Sequence, residues 1–252
     1  MKVVVAGGTG VVGSRLVDVL RRRNHDVRIA SRASGVDVVT GQGLDEIMVG
    51  ADIVVDVLNA PAFDEATAMA FFEASSRNIL AAAAAEGVRH HLALSIVGCE
   101  RLQGSGYFRA KLAQEKLVQA GAVPFSILRS TQFFEFLGAI IADGLDGETV
   151  RLNPARVQFI AADDVAGALA DLVERSPVNG TIEVAGPDPF RLDDLVQRYM
   201  ASRRDGRAVV ADPQALYFGT PLSDETLLSG GTPRFGHTEF DLWLRRASTA
   251  AA

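Results

Sequence analysis

Lys2-Val-Val-Val-Ala6, followed by Gly7-Gly8-Thr9-Gly10-Val11-Val12-Gly13 and then by Ser14-Arg-Leu-Val-Asp-Val-Leu20, is the stretch on which the fold turns. The β-branched run reads as a strand, the glycines as a tight turn, and the apolar residues after them recur at helical spacing. Gly8, Gly10 and Gly13 satisfy G-x-G-x-x-G, and Gly7, Gly10 and Gly13 also satisfy G-x-x-G-x-x-G. Such a turn lets a pyrophosphate approach backbone N–H groups at a helix N-terminus, because no Cβ stands between ligand, helix and strand. The pattern predicts a dinucleotide-binding strand–turn–helix unit.

Next in the chain, Asn24-His25-Asp26 makes a turn and Val27-Arg-Ile-Ala-Ser-Arg32 reads as a second strand. In dinucleotide-binding units an acidic residue near this point takes the ribose hydroxyls of NAD, whereas a basic one accommodates the 2′-phosphate of NADP. Ser31 and Arg32 stand there without a carboxylate, so NADP(H) is the expected cofactor. A short strand is expected at 36–40, a compact helix at 44–49, and a buried strand at 51–58. That last strand ends in Asn59-Ala60-Pro61 at the sheet edge where ligands bind, so Asn59 is either a cofactor contact or a plain turn residue. A long helix over 65–86 carries the alanines 81–85 as a thin packing face and stops at Gly87. Strands at 91–97 and 125–130 follow.

Six candidate strands alternating with helices give an α/β fold, a Rossmann doubly wound parallel sheet over residues 1–135. Beyond it the rhythm changes to short elements separated by Pro and Gly, with strands expected at 157–161 and 181–185 and helices at 164–175 and 192–203. Residues 136–252 are read as mostly a small C-terminal α/β substrate lobe interleaved with the first domain. Asp163 and Asp164 are expected to cap the first of these helices. Trp243 is expected to dock the last helix onto the body, and residues 247–252 to fray.

Composition narrows the function classes. The 252 residues are 48% hydrophobic and 22% charged, as in a soluble globular protein with a sizeable core. No apolar run reaches the roughly 18 to 20 residues of a membrane span, and the start lacks a signal-peptide layout, so a cytoplasmic protein without membrane partners is expected. A single cysteine, Cys99, allows no internal disulfide, and the scattered histidines give no metal-site spacing. The net charge of -6 argues against a nucleic-acid partner, leaving Arg21-Arg22-Arg23 as cations suited to a helix C-terminus.

The chemistry-bearing residues come from Gly104-Ser-Gly106, a flexible approach, and the helical segment after it. Tyr107 and Lys111 lie four apart on one helix face, and Ser95 sits twelve residues earlier near the end of a strand that points at the same edge. Carbonyl reduction by hydride builds negative charge on oxygen, so a site for it needs a proton donor and a second hydrogen bond to that oxygen. In this reading Tyr107 is the acid/base, Lys111 lowers its pKa and holds a ribose, and Ser95 orients the oxygen.

The glycine turn, the set Ser95, Tyr107 and Lys111, and Leu128-Arg-Ser-Thr-Gln-Phe133 together resemble an atypical, extended-type short-chain dehydrogenase/reductase, most similar to the NmrA-like NAD(P)H-binding branch. The resemblance implies a Rossmann domain binding NADP(H), with Thr9, Gly10, Val11, Val12 and Arg32 at positions of family cofactor contacts. It places Ser130, Thr131, Gln132 and Phe133 beside the nicotinamide. An apolar or aromatic small molecule is the expected substrate, with Phe108, Phe133, Phe134 and Phe136 as walls. The leading expectation is an NADPH-dependent reductase of a carbonyl or quinone-like compound. A cofactor-sensing regulator without turnover, and an epimerase or isomerase using the cofactor transiently, are the alternatives; a monomer and a homodimer are equally compatible.

Overall fold

A computed structural model describes residues 1–249. Seven parallel strands form its central sheet: β1 (Lys2–Ala6), β2 (Asp26–Ala30), β3 (Ile53–Asp56), β4 (His90–Ile96), β5 (Phe125–Ser130) and, from later in the chain, β9 (Gly180–Ala185) and β12 (Arg234–Phe235). Their spatial order is β12-β9-β5-β4-β3-β1-β2, so the chain reverses direction across the sheet between β1 and β3. Ligands bind outside the carboxyl ends of the strands at such a reversal. The glycine turn follows β1 at that point.

The alternation within β1 assigns the two layers. Val3 and Val5 face α1 (Val11–Arg22) and α6 (Ala162–Val173), in one core with Leu16, Leu20, Val165 and Leu169. Val4 and Ala6 face the other side, where α2 (Leu44–Met48) and α3 (Glu65–Ala85) contribute Leu44, Met48 and Ile79. The alanine run supplies Ala82 and Ala83 to this second layer, and α4 (Gly106–Ala120) packs along α3. Two smaller sheets complete the fold. β6 (Leu145–Asp146), β7 (Thr149–Leu152) and β11 (Ala208–Ala211) form one, and β8 (Arg156–Gln158) with β10 (Pro189–Arg191) forms the other. Around them α5 (Leu137–Asp143), α7 (Leu192–Ser202) and α8 (Phe240–Thr249) enclose a second core of Phe134, Phe159, Leu195, Phe240 and Trp243.

Four local expectations change. Residues 36–40 are a turn, not a strand: Asp37 Oδ1 accepts the Val39 and Thr40 N–H groups at 2.8 and 3.3 Å, folding the segment so that Val36 and Val38 point into the core. The sixth sheet position belongs to β9, which pairs with β5 from Ser126↔Gly180 to Ser130↔Val184. Asp163 and Asp164 lie in the first turn of α6 rather than at its cap. The Glu135 carboxylate accepts the Ala162 N–H, and Asp164 Oδ2 takes the N–H groups of His237 and Thr238 at 3.1 and 2.9 Å. Finally, α8 continues to Thr249, so helix replaces the start of the expected frayed tail, and positions 250–252 lie outside the described residues. Trp243 docks as expected, its Nε1 donating to Glu135 Oε1 at 3.1 Å.

The packing gives one consequence for stability. His90 and His91 open β4 and are buried; burial first, then the neighbouring His91, pushes His90 down to about 4, and burial lowers His91 as well. Both are therefore neutral in the folded protein at neutral pH, whereas the unfolded chain takes up protons below the ordinary histidine value of 6.5. Stability is fully present above that value and is lost as the pH falls towards 4, by about 2 to 3 kcal/mol for His90 alone. Urea unfolding at a series of pH values should show this loss starting near 6.5, above the range where carboxylates titrate, and His90→Asn should flatten the upper part of the curve.

Candidate active site

One cavity of about 640 Å³ runs from the glycine turn to the mouth of the second core. Gly7, Thr9, Gly10, Val11 and Val12 form its floor at one end. Gly7 has φ +84°, and a Cβ there would lie 2.8 Å from the Val57 carbonyl oxygen, so the turn can be made only by glycine. Gly13 lies beneath it: a Cβ on Gly13 would meet the Gly7 carbonyl oxygen at 2.1 Å. This glycine brings α1 against the turn rather than lining the cavity. Gly10 is the N-cap of α1, and no side chain caps the helix or adds negative charge to its first turn. Backbone N–H groups and a helix dipole thus face the cavity, the arrangement that holds a phosphate.

Tyr107 and Lys111 reach the cavity from α4, and Ser95 from the end of β4. Gly106 opens α4, and its glycine is a packing requirement: a Cβ would stand 2.2 Å from that of Glu65 at the start of α3. Arg109 pairs with Glu65 across the same contact, so the approach expected to be flexible is clamped. Tyr107 consequently sits in the first helical turn, where its ring meets Phe63, Phe72 and Phe108 edge-on at centroid distances of 5.0, 6.1 and 5.6 Å.

The polar contacts of this set differ from the expected ones. The Tyr107 hydroxyl donates to Asn59 Oδ1 at 2.6 Å. Lys111, 3% exposed, donates to the Leu94 carbonyl at 2.8 Å and to Gln114 Oε1, and its ammonium lies 4.6 Å from the centre of the Phe72 ring. Gln114 Nε2 in turn donates to the fully buried Asp56 at 2.8 Å, and the other Asp56 oxygen accepts the Leu58 N–H at 3.0 Å. Lys111 is thus balanced by Asp56 through an amide. Burial pushes the Tyr107 phenol above its ordinary value and lowers Lys111, so the expected depression of the phenol by Lys111 is absent from this arrangement.

Behind Ser95, Glu115 accepts two hydrogen bonds from Arg129, at 2.8 and 2.7 Å, and joins α4 to β5. Burial opposes the Glu115 charge, but Arg129 outweighs it and holds the carboxyl below its usual range. The Ser95 hydroxyl lies near this carboxylate, yet among the described residues it makes no hydrogen bond. Gln132 Nε2 is likewise buried and unpartnered. Both residues line the cavity together with Ser130, Thr131 and Phe133, which extend from β5. The bare helix N-terminus at one end and two orphaned polar side chains at the other match a molecule with phosphates at one end and a polar ring at the other.

Ser31 and Arg32 lie beyond this cavity, past the end of β2, which neighbours β1. The Arg32 side chain is 82% exposed, with Asp37 3.7 Å away. Sequence reasoning missed the far wall. Phe63 and Phe218 stack there at 5.9 Å, with Tyr217 and Asp143 beside them. Phe218 and Gly219 have φ +45° and +80° within a tight turn closed by mutual Tyr217–Thr220 backbone hydrogen bonds, which swings Phe218 over the cavity. Tyr217-Phe-Gly219 was the available signal, an aromatic pair abutting a glycine.

With this geometry in place the comparisons are specific. Residues 7–176 match the family model described as NAD(P)H-binding. The chain belongs to that family. A "(4-alkanoyl-5-oxo-2,5-dihydrofuran-3-yl)methyl phosphate reductase" of Streptomyces griseus is 32% identical over 146 residues, covering 52% of this chain and 48% of the relative. The divinyl chlorophyllide a 8-vinyl-reductase of Arabidopsis thaliana is 25% identical over 74% of this chain and 54% of its own length. The chain therefore spans about half the length of these two reductases. Among solved structures, a short-chain dehydrogenase/reductase superfamily protein of Agrobacterium tumefaciens with bound NAD superposes with a TM-score of 0.72 at 22% identity, covering 100% of this chain and 97% of the other. MoeE5 with UDP-glucose and NAD gives 0.74 at 16% identity over the whole of both chains. These two likenesses establish the fold. Among the described residues no helix is long and apolar enough to cross a membrane.

Proposed function

We propose that this protein is an NADPH-dependent reductase of small, flat carbonyl or quinone-like molecules, with Tyr107 as proton donor. The observation that carries the reading is one continuous cavity with a phosphate-holding helix N-terminus at one end, the Tyr107 hydroxyl and Lys111 along its wall, and an aromatic roof of Phe63, Phe133, Phe136 and Phe218. NADPH supplies the hydride when bound. Gly10 to Val12 would hold its phosphates, Lys111 a ribose, and Gln132 and Ser130 its nicotinamide amide. The aromatic roof favours a planar apolar acceptor, because ring stacking adds about 0.5 to 1.5 kcal/mol per pair beyond burial. Tyr107 keeps its proton at neutral pH, as any phenol does, and can release it to an oxygen gaining charge; because burial raises its pKa, the role needs groups that stabilise the phenolate as the proton leaves. Curated relatives named as reductases support the direction of the chemistry.

The preference for NADPH rests on Ser31 and Arg32 following β2 and on the exposed Arg32 guanidinium, which is free to leave Asp37 for a 2′-phosphate. The test is NADPH and NADH titration of the purified protein, followed by cofactor oxidation against a panel of quinones, aromatic aldehydes and aliphatic ketones. Tighter NADPH binding and turnover concentrated in the planar acceptors are expected, with Arg32→Ala weakening NADPH about tenfold or more and NADH hardly at all. Cofactor binding without oxidation across the panel would remove the reductase reading.

A further inference from the structure

The hydrogen bond between Tyr107 and Asn59 assigns a role that neither the glycine turn nor the Tyr–Lys spacing carries. Asn59 follows β3 on the loop at the ligand edge, and its side-chain oxygen lies 2.6 Å from the Tyr107 hydroxyl. The ammonium of Lys111 is engaged elsewhere, by Leu94 and Gln114. The backbone that carries Asn59 is itself held, since the Leu58 N–H is bound by Asp56 and Asp56 by Gln114. One chain of hydrogen bonds thus joins the loop bearing Asn59 to the ammonium of Lys111.

We infer that Asn59 is the positioning residue for the Tyr107 hydroxyl, accepting its proton's hydrogen bond at rest and donating to the oxygen once that proton has left. A carboxamide can do both, having an acceptor on one side and two N–H donors on the other, and a half-turn of the amide exchanges them. At rest the Asn59 oxygen accepts the phenol proton's hydrogen bond and holds that proton turned from the substrate. With the amide reversed, an Asn59 N–H points at the Tyr107 oxygen, and the phenol proton is free for the substrate oxygen. The step balances on the reductase reading, on which its chemistry rests. The Tyr107 O–H bond breaks and an O–H bond forms on the substrate oxygen as the hydride electron pair reaches the carbonyl carbon. The phenolate, held by Asn59, recovers a proton from water. Hydrogen bonds to an ionised oxygen are about twice as strong as those between neutral groups, so over the whole cycle Asn59 favours the phenolate.

The groups around Tyr107 set the background for a titration test. Lys111 is on its own helix, Tyr217 lies across the cavity with Asp143 behind it, and the Glu65–Arg109 pair closes the α3–α4 contact. The measurement is an NMR titration of protein carrying tyrosine labelled with carbon-13 at the ring carbon bearing the hydroxyl. Only three tyrosines are present, at 107, 199 and 217, and Tyr107→Phe identifies the signal.

Asn59→Leu is expected to move the Tyr107 titration up by about one pH unit, a tenfold loss of phenolate at a given pH. Asn59→Asp should move it further, and Asn59→Ser, whose hydroxyl both accepts and donates, should stay near wild type. With the best acceptor of the panel, kcat should fall about tenfold in Asn59→Leu, recover in Asn59→Ser, and keep KM for NADPH within about twofold throughout. A shifted titration in a protein that reduces nothing upholds the pairing and removes the reductase reading. An Asn59→Leu protein that is folded by circular dichroism and titrates like wild type overturns the inference. If Asn59→Leu fails to fold, Asn59→Asp takes its place: a raised titration upholds the pairing, and a titration like wild type overturns it.

Discussion

Tyr107→Phe is expected to lower kcat/KM for reduction by about 10²- to 10⁴-fold, the usual contribution of a positioned general acid. NADPH affinity should stay within about a factor of two, because the phenyl ring retains every ring contact and only a hydroxyl is lost. Those contacts, to Phe63, Phe72 and Phe108, hold the first turn of α4 in place without the oxygen. What the fold loses is the hydrogen bond to Asn59, worth about 1 kcal/mol. Thermal unfolding should therefore shift by only a few degrees while turnover collapses. Steady-state kinetics with the best acceptor, beside a fluorescence titration of NADPH, separates the two. Turnover close to wild type would mean that the substrate proton comes from water or from another group, and the cavity would then need a different donor.

How much of this was legible beforehand follows from the range of the interactions involved. The β1 strand, glycine turn and α1 are specified by residues adjacent in sequence, and the turn stands where the sheet reverses. The strands at β3, β4 and β5 read correctly because strands buried on both faces are continuous apolar runs. Residues 36–40 misled because a run of valines looks the same whether its backbone pairs with a strand or is folded back by one aspartate; Asp37 made the difference. The identity of the sixth strand depends on which distant segment pairs with β5, a matter of chain path rather than local pattern. Ser95, Tyr107 and Lys111 were legible as neighbours on one cavity because helical spacing and strand ends are local features. Their hydrogen-bond partners were not. Gln114 lies three residues beyond Lys111 and meets Asp56 on β3, and Asn59 meets Tyr107 48 positions later. A buried carboxylate closing an otherwise apolar strand, Ile53-Val-Val-Asp56, was the one clue that a buried cation must lie nearby.

The second large effect separates two kinds of glycine within the turn. Gly13→Ala is expected to cost about 1 to 3 kcal/mol of stability and to weaken NADPH binding as well. The added methyl would stand 2.1 Å from the Gly7 carbonyl oxygen and 2.8 Å from the Gly8 Cα, both backbone atoms, so α1 must move outward and carry its N–H groups away from the turn. Gly10→Ala makes the contrasting case. Its methyl meets only the Gly7 carbonyl oxygen, at 3.3 Å, and otherwise stands at the cavity floor. Gly10→Ala should therefore melt within a few degrees of wild type yet bind NADPH at least about tenfold more weakly, since about 1.4 kcal/mol of lost contact suffices. Thermal unfolding with and without saturating NADPH measures both quantities at once, because a ligand bound only to the folded state raises the midpoint in proportion to its affinity. A Gly10→Ala protein stabilised by NADPH as strongly as wild type would show that the phosphates do not approach α1 over Gly10, and the cofactor would have to lie elsewhere in the cavity.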